Sequence, residues 1–240
     1  MNSIRIATYN IHKCVGMDRR YSPERIADVL RELEADVIGL QEVVCHSDRG
    51  FRDHQAEFLA EELGMYFCLG ENRKHYGADY GNVILSRLPI VAFQNYDISI
   101  TRREPRGCLR AEIGMSPDRN VHFVNLHLGT SFFERRLQVR KLLVEHVLDD
   151  PQIDGMRIIA GDFNEWIRGL TTRMFKSKFQ SVDPKLHLGT MRTFPGIAPI
   201  VHLDHIYFDD AFTLRTASLH KSRRSLVASD HLPIVAELEF

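Results

Sequence analysis

Side chains that can perform acid–base or metal chemistry stand at the ends of short apolar runs in this sequence. The runs IRIATYN, DVIGLQE, VHFVNLH and RIIAGDFN each end in such a group, and the runs HIYF and LPIV are each preceded by one. Ligands of α/β proteins bind where strands end at one edge of a sheet, so the groups meet in one cleft if the later runs are antiparallel to the first four. The eight residues are Asn10, Glu42, His127, Asp162, Asn164, Asp204, Asp230 and His231.

The donor atoms of these residues suit a hard divalent cation beside a phosphate ester. Their carboxylates and carboxamides offer oxygen ligands, and Mg²⁺ prefers a few carboxylates, with water and phosphate oxygens, over a full protein cage. The two histidines can act as general acid or base near neutral pH. The four cysteines are widely spaced and include no C-x-x-C pair, which argues against a zinc knot or a redox motif and favours reduced thiols.

The surrounding sequence alternates short apolar segments with amphipathic ones, a pattern typical of an α/β fold with mixed sheets. Ser22 as the N-cap and Pro23 as the first helical residue open one helix. Two more helices are predicted at 51–63 and at about 132–148, and residues 181–203 are expected to form a long loop. Strands are predicted at 4–9, 36–41, 65–69, 82–87, 90–100, 107–114, 121–128, 156–161, 204–208, 213–219 and 233–239.

Seven short motifs appear along the chain in a fixed order: TYN, LQE, GN-x-x-LS, NLHL, GDFN, LDHIYF and SDH-x-P. Each motif alone is weak, but in this order and spacing they resemble the endonuclease/exonuclease/phosphatase superfamily, which has the deoxyribonuclease I-like fold. The resemblance extends from Tyr9 to Val235. It implies a four-layer α/β sandwich, in which two mixed β-sheets pack face to face with helices on the outside.

The resemblance implies a metal site built from three of the motif residues. Glu42 of LQE matches the principal Mg²⁺ ligand, with Mn²⁺ as a substitute metal. Asn10 of TYN matches a residue near the metal and the scissile phosphate, and Asp230 of SDH matches another carboxylate on the metal side. A cation in this place would offset the charge of the phosphodiester and stabilise the charge that develops in the transition state.

The resemblance also implies a group of residues that handle water and protons. His231 of SDH matches the catalytic histidine, and Asp204 matches the carboxylate that orients it, as in the base and orienter of a hydrolase triad. Asp162 and Asn164 of GDFN match the pair that positions the attacking water and a phosphate oxygen. Either Asp162 or His231 could take the proton from water. His127 matches a second histidine that contacts the phosphate; the abasic-site endonuclease branch usually carries Tyr there.

Three further residues are predicted to contact the substrate phosphate. Arg106 and Arg110 lie in PRGCLRAEI, a segment that matches a family strand with an arginine near the phosphate. Alternation along a strand places both arginines on one face, and a guanidinium can donate two hydrogen bonds to phosphate oxygens. Asn82 belongs to the motif GN-x-x-LS.

The predicted activity is Mg²⁺-dependent hydrolysis of a phosphate ester by in-line attack of water. Nucleic acid, DNA or RNA, is the preferred substrate class. The alternative is an inositol phosphate, a phospholipid headgroup or another small phosphoester. A catalytically inactive binding module is a remote alternative, because none of the motif residues is missing. No obligate protein partner is indicated.

Composition and charge restrict the class of protein further. The net charge of −1 excludes a strongly basic nucleic-acid coat protein but leaves room for a local basic groove. No apolar run approaches the length of about 18 residues that a membrane span needs, and no hairpin for membrane insertion is evident. The segment MNSIRIATYN lacks the apolar region of a signal peptide. We therefore expect a cytoplasmic protein with one domain over residues 1–240.

Overall fold

Two six-stranded β-sheets pack face to face in the computed structural model, which describes residues 3–117, 119–144, 148, 155–166, 169–182, 192–196 and 198–240. The strands are β1 Ser3–Asn10, β2 Val37–Cys45, β3 Tyr66–His75, β4 Ala78–Ser86, β5 Ile90–Asp97, β6 Gly107–Ser116, β7 Arg119–His127, β8 Met156–Asp162, β9 Gln180–Ser181, β10 Asp204–Phe208, β11 Thr213–Leu219 and β12 Ile234–Glu239. The first sheet has the order β11-β12-β1-β2-β4-β3, and the second has the order β5-β6-β7-β8-β10-β9.

Helices cover the outer face of each sheet. They are α1 Pro23–Leu33, α2 Gln55–Leu63, α3 Phe132–Val144, α4 Leu170–Lys176 and α5 Ser225–Ala228. Apolar residues of α1 and α2 share a core with the first sheet, and those of α3 and α4 share another with the second sheet. A third core of apolar side chains fills the space between the two sheets. The expected four-layer α/β sandwich is confirmed.

The start of α1 shows how local sequence fixes an element. The Ser22 hydroxyl accepts a hydrogen bond from the backbone N–H of Arg25, and Pro23 occupies the first helical position, where no N–H is needed. The buried residues recur at helical spacing on the face turned to the sheet, as the sequence predicted. The helix ends at Glu34, whose backbone is left-handed with φ of 51°.

The strand directions carry the predicted catalytic residues to one edge of both sheets. Each sheet contains one parallel pair, β1 with β2 and β7 with β8. Strand β12 runs antiparallel to β1, with Thr8 opposite Ile234, and β10 runs antiparallel to β8, with Asp204 opposite Asp162. The later strands therefore begin where the earlier ones end, which is the condition that the sequence left open.

Several boundaries differ from the predicted ones. The predicted helix 51–63 is divided into a 3₁₀ turn at Phe51–Asp53 and the α-helix α2, whose first N–H groups are capped by His54. The short elements α4, α5 and β9 were not predicted. Helix α3 is described up to Val144, and residues 145–147 of the predicted helix and 183–191 and 197 of the predicted loop lie outside the residues that the structure describes.

The helices and the cysteines bear on the predicted class of protein. Among the described helices, none has the length and apolar character needed to cross a membrane. All four cysteines are buried free thiols. Burial raises the pKa of Cys45 to about 11 and that of Cys68 to about 12, so both thiols are protonated near neutral pH.

A buried polar cluster joins the two sheets next to the catalytic edge. The side chain of Asn125 on β7 donates from Nδ2 to the carbonyl oxygens of Leu40 and Val83, both at 2.8 Å. Its Oδ1 accepts from Nε2 of Gln41 at 2.6 Å, and Gln41 also donates to the hydroxyl of Thr8 at 3.1 Å. Asn125 and Gln41 are fully buried. One asparagine thus satisfies polar groups on two strands of the opposite sheet.

Substitution Asn125→Ala is expected to lower the free energy of unfolding by about 2–4 kcal/mol, because it leaves several buried groups without partners. Chemical denaturation followed by circular dichroism measures the effect. Asn120→Ala, on the same strand but only half-buried, is the matched control and should shift stability by less than about 0.5 kcal/mol. Equal denaturation midpoints for the two variants would contradict the proposed contribution of the cluster.

Candidate active site

Residues from both sheets meet where the parallel strands end. The carboxamide Nδ2 of Asn10 donates to Oδ2 of Asp162 at 3.1 Å and lies 3.3 Å from Oε1 of Glu42. Asn10 ends β1, Glu42 lies in β2, and Asp162 ends β8 of the other sheet. Asn10 therefore connects the residues that the sequence assigned to metal binding with those that it assigned to catalysis.

His231 lies between two buried carboxylates. Its Nδ1 is 2.9 Å from Oδ2 of Asp204, and its Nε2 is 3.6 Å from Oδ2 of Asp162. All three side chains are at most 4% exposed. Burial by itself would lower the pKa of His231, but the charges of Asp204 and then Asp162 raise it to about 10. The proximity of Asp204 matches the orienting role that the sequence predicted for this carboxylate.

Asp162 holds a carboxyl group whose charge is disfavoured by its surroundings. Burial raises the pKa of Asp162 to about 7, and the nearby charge of Asp204 adds to the effect, while His231 opposes it. The backbone N–H of Asn164 donates to Oδ1 of Asp162 at 2.8 Å. Asp162 and His231 are close enough to titrate as a coupled pair, so a proton can be shared between them.

His127 on β7 lies beside Asp162 on the neighbouring strand β8, and burial together with Arg106 keeps its ring neutral. Its Nδ1 lies 3.1 Å from Nη1 of Arg106, and its Nε2 lies 3.6 Å from Oδ2 of Asp162. Burial, followed by the positive charge of Arg106, lowers the pKa of His127 well below its ordinary value. Nη1 of Arg106 is also 3.4 Å from Nε2, but its contact with Nδ1 is shorter and Nε2 faces the Asp162 carboxylate. Since a guanidinium only donates, this arrangement favours Nδ1 as the acceptor and the ring proton on Nε2.

A β-bulge sets the position of Glu42. The register of β2 on β4 shifts between Leu40 and Val43, and the backbone of Glu42 is left-handed with φ of 58°. Lys13 also has a left-handed backbone, with φ of 59°, and its ammonium forms an ion pair with the Glu42 carboxylate. Burial would raise the pKa of Glu42, but His127 in its protonated form and the Lys13 ammonium lower it to about 2. Near neutral pH, where His127 is neutral, the ion pair with Lys13 stabilises the carboxylate. Glu42 is therefore a carboxylate throughout the neutral range.

The donor atoms fit a divalent metal ion. Asp162, Asp204 and His231 each offer a ligand atom within 4.8 Å of the other two, and all three residues are buried. Within the part of the chain that the structure describes, Oδ1 of Asp204 is buried and has no hydrogen-bond partner. The ionised Glu42 lies on the other side of Asn10. Buried carboxylate oxygens without partners require a proton or a cation, so the residues present fit such an ion.

The predicted metal ligand Asp230 stands apart from this compact group. Its side chain is 26% exposed, and its Oδ1 lies 3.8 Å from Nδ1 of His12. The adjacent Ser229 donates from Oγ to the carbonyl oxygen of Asn10 at 2.7 Å, and this bond fixes the SDH segment against the end of β1. The metal-binding role of Asp230 stays a prediction.

Of the two arginines predicted to contact the phosphate, Arg110 lies away from the cluster. The guanidinium of Arg110 lies 5.4 Å from the centre of the Tyr96 ring, opposite Val124 and thus three residues from the end of β7. Strand β6 begins at residue 107, as predicted, so Arg106 directly precedes the strand and Arg110 lies within it. The phosphate contact of Arg110 stays a prediction. Arg106 does lie in the site, through its contact with His127.

Asn82, the third predicted phosphate contact, lies between β4 and β6. It is buried, and its Nδ2 donates to the carbonyl oxygen of Gly107 at 3.0 Å, which links β4 to β6. Its Oδ1 is buried without a partner among the described residues. A free acceptor oxygen suits a donor group better than it suits a phosphate anion. The contact of Asn82 with phosphate stays a prediction.

A cavity of about 620 Å³ opens beside Glu42 on the side of Lys13. Aromatic and cationic side chains make up much of its wall, and Tyr76, at the tip of the β3–β4 hairpin, is 89% exposed. The lining residues are Lys13, Val15, Tyr21, Val44, His46, Arg49, Asp53, Gln55, His75 and Tyr76. The cavity gives the site room for a substrate group considerably larger than phosphate.

A family model matches residues 7–231, which is nearly the whole chain. The matched segment includes every residue of the cluster described above. This chain belongs to the Endonuclease/Exonuclease/phosphatase family. The expected superfamily is thereby confirmed, and members of this family are hydrolases that act on phosphoester bonds.

One relative and two solved structures are similar to this chain over nearly its whole length. The uncharacterized protein YbhP of Escherichia coli (strain K12) is 31% identical over 248 residues, which cover 98% of this chain and 96% of that protein. The mannosyl-6-phosphatase Bt3783 of Bacteroides thetaiotaomicron has a TM-score of 0.76 at 19% identity, with 99% of this chain and 100% of that chain covered. TDP2 of D. rerio, complexed with a single-stranded DNA product, has a TM-score of 0.72 at 16% identity, with 99% of each chain covered. These two structures share the fold.

Sequence reasoning missed Lys13 and underestimated Ser229. Lys13 follows a motif by three residues, and nothing in its sequence context indicates the left-handed backbone that turns it toward Glu42. Ser229 is the first residue of the quoted SDH motif, and its hydroxyl accepts from the N–H of His231 at 3.2 Å. A small hydroxyl directly before an acidic residue and a histidine was the available signal for Ser229.

The loop after His127 is fixed by residues of α3. The N–H of Gly129 donates to Oε1 of Gln138 at 2.8 Å, and Nη1 of Arg135 donates to the carbonyl oxygen of Gly129 at 3.1 Å. The carbonyl oxygen of Leu128 accepts from Nδ2 of Asn164 at 2.9 Å. Gln138 is fully buried. The helix therefore positions the loop that in turn holds the side chain of Asn164.

Substitution Gln138→Ala is expected to lower kcat for phosphoester hydrolysis about 10-fold, because the loop and the Asn164 side chain lose their fixed position. Turnover of bis-p-nitrophenyl phosphate measures kcat and KM separately, and a thermal melt reports folding. Gln94→Ala, at an exposed position on β5, is the control and should match the unmodified protein. A kcat unchanged by Gln138→Ala would show that α3 does not position the site.

Proposed function

We propose that this protein is a Mg²⁺-dependent phosphodiesterase that acts on nucleic acid by in-line attack of water. The observation that carries the proposal is the placement of His231 between Asp204 and Asp162, next to the ionised Glu42. A histidine oriented by one carboxylate and coupled to another provides acid–base chemistry beside a site for a cation. This combination suits hydrolysis of an anionic ester.

Glu42, Asn10 and Asp230 would hold the metal ion, for which Mg²⁺ is the proposed species and Mn²⁺ a substitute. When bound, the ion offsets the negative charge of the phosphate and of the transition state. Lys13 forms an ion pair with Glu42 and offsets its negative charge. The two carboxylates outnumber Lys13, so these residues would attract and orient a phosphate only with the cation bound.

The remaining residues are proposed to transfer the proton of the attacking water and to bind the phosphate. Asp162 and His231 share the proton that the attacking water releases, and Asp204 holds the His231 ring in a fixed orientation. His127 carries its proton on Nε2, which points into the site and can donate to a phosphate oxygen. Asn164 is fixed by its bond to the loop after β7.

The choice of nucleic acid rests on the cavity beside Glu42. Its wall combines the tyrosines Tyr21 and Tyr76 with cationic groups such as Arg49. Aromatic rings stack on bases, and cations pair with a phosphate backbone. A small phosphoester such as a sugar phosphate or an inositol phosphate is the second candidate, since the phosphatase Bt3783 has the same fold. Such a substrate would leave most of the cavity unfilled.

The decisive experiment is hydrolysis on a divided panel of substrates, with and without Mg²⁺. One arm contains bis-p-nitrophenyl phosphate and single- and double-stranded DNA and RNA. The other contains p-nitrophenyl phosphate, inositol phosphates, sugar phosphates and soluble phospholipid headgroups. Metal-dependent cleavage of diesters supports the proposal, whereas release of phosphate from monoesters alone would support the second candidate.

The variant Glu42→Ala is expected to lose Mg²⁺ affinity and activity together, by about 10²-fold or more in rate. The melting temperature should stay close to that of the unmodified protein, because the Glu42 side chain contacts the polar groups of Asn10 and Lys13 and is not part of an apolar core. Titration with Mn²⁺ followed by electron paramagnetic resonance measures metal binding. Glu57→Ala, exposed on α2, is the control. Full activity of Glu42→Ala at saturating Mg²⁺ would refute the assignment.

The variant His231→Ala is expected to lower kcat by about 10²–10⁴-fold while Mn²⁺ binding is retained, because it removes the acid–base group and leaves Glu42 in place. Single-turnover kinetics on bis-p-nitrophenyl phosphate give the rate of the chemical step. His220→Ala, which removes a histidine paired with Glu32 at the protein surface, controls for the loss of an imidazole. Turnover within a few-fold of the unmodified protein would exclude His231 from the chemistry.

A further inference from the structure

The outer face of α3 and α4 exposes an unusual amount of apolar surface. Phe133 is 71% exposed, Phe132 is 50% exposed and Leu137 is 46% exposed. The two phenylalanine rings pack edge to face with centroids 5.6 Å apart, and both protrude from the start of α3. We refer to these residues, together with Leu170, Met174 and the exposed arginines of the two helices, as the α3–α4 face.

The cations of this face have no acidic partner among the described residues. Arg136, Arg140 and Arg173 are exposed, and none of them forms an ion pair with any residue that the structure describes. The only acidic residue within α3 and α4 is Glu134, which is buried and accepts a hydrogen bond from Gln138. The face is therefore positive as well as apolar, which fits an anionic and apolar binding partner.

A groove of about 370 Å³ runs between the two helices. Phe133 and Leu137 form one wall, Leu170 and Met174 form the other, and arginines of α3 stand at its rim. Contiguous exposed apolar surface bordered by polar groups is typical of an interaction site. Neither the chemistry nor the position of this groove has a part in the hydrolysis proposed above.

The α3–α4 face lies on the same edge of the sandwich as the catalytic cluster. Helix α3 begins five residues after His127. Trp166, two residues after Asn164, is 53% exposed, and its ring contacts that of Phe194 at 5.9 Å. The Phe194 ring lies 5.0 Å from that of His231. Exposed aromatic groups thus extend from the helices toward the entrance of the site.

We propose that the α3–α4 face docks on the surface of an anionic phospholipid bilayer. Phenylalanine and leucine side chains insert between headgroups, and the arginines pair with the lipid phosphates, as in interfacial amphipathic helices. A single-stranded nucleic acid would satisfy the arginines and could stack on the phenylalanines, but it would leave the aliphatic side chains of Leu137, Leu170 and Met174 without an apolar partner. A folded protein partner would need a pocket for the protruding phenylalanines, whereas the headgroup layer adapts to them. Docking does not require turnover, so it stands apart from the proposed phosphodiesterase activity.

Flotation with vesicles tests the proposal on the full chain, in EDTA so that no hydrolysis occurs. The protein is expected to float with vesicles of phosphatidylcholine and phosphatidylglycerol at 7:3. With vesicles of phosphatidylcholine alone it should remain in the bottom fraction. Raising the salt concentration should weaken the binding, because exposed charges are screened. An absence of binding to both kinds of vesicle would overturn the proposal.

Matched variants locate the binding surface. Replacing Arg136 and Arg140 together by Gln is expected to lower the partition coefficient roughly 30-fold, since each arginine near an anionic surface contributes about 1 kcal/mol. Phe133→Ser should lower it by a similar or larger factor. The controls are Phe93→Ser, which is 57% exposed on β5, and the pair Arg215→Gln with Arg223→Gln. Equal losses in the controls would show unspecific adsorption and contradict the docking surface.

Two further readouts separate this proposal from its rivals. Binding of a single-stranded oligonucleotide that is lost in the Arg136 and Arg140 variant, with vesicle binding retained, would reassign the face to nucleic acid and overturn the membrane proposal. Hydrolysis of soluble bis-p-nitrophenyl phosphate should be unchanged in Phe133→Ser, because this residue does not touch the catalytic cluster. If the protein floats with vesicles but hydrolyses none of the substrates, the proposed phosphodiesterase activity is refuted and the docking proposal stands.

Discussion

Burying the carboxylate of Asp162 away from water is costly unless its oxygens are paired, and the ends of both sheets supply the partners. Asn10 donates to it from the first sheet, the backbone of Asn164 donates from its own loop, and His127 and His231 approach it from either side. The same burial raises its pKa to about 7, and this makes a carboxylate able to exchange a proton with His231. The burial that makes the charge of Asp162 costly thus also gives this carboxyl group a pKa suited to proton transfer.

A buried polar cluster joins the two sheets close to the catalytic edge. Asn125, Gln41 and Asn82 connect the sheets by hydrogen bonds, whereas the rest of the space between the sheets is filled by apolar side chains. Apolar packing is non-directional, but a carboxamide that bonds two carbonyl oxygens fixes the relative position of two strands. The alignment of the two sheets, on which the 3 Å contacts of the site depend, is therefore set by a few directional bonds.

Sequence reasoning succeeded where one local signal decides the outcome. Strands β10 and β11 have the predicted bounds because apolar alternation and flanking turns define them, and the motif residues meet because strand direction follows from connectivity. Helix α4 was missed because LTTRMFK has no helical signal of its own. Its first N–H groups are instead capped by Glu165, which accepts from Gly169 and Thr172 at 3.1 Å. Alternation along β6 shows which face a side chain is on but not which neighbour it contacts, so it did not indicate that Arg110 lies over the ring of Tyr96.

The two sheets follow the same plan, since β3-β4-β2-β1-β12-β11 and β5-β6-β7-β8-β10-β9 have the same succession of parallel and antiparallel neighbours. Each half contributes a different part of the site, because Glu42 and Asn10 come from one sheet and His127 and Asp162 from the other. Neither half holds a complete set of groups. Partial unfolding of either sheet therefore separates the two groups of residues from each other. The divided site makes the folding of the whole sandwich a condition for any chemistry that needs both groups.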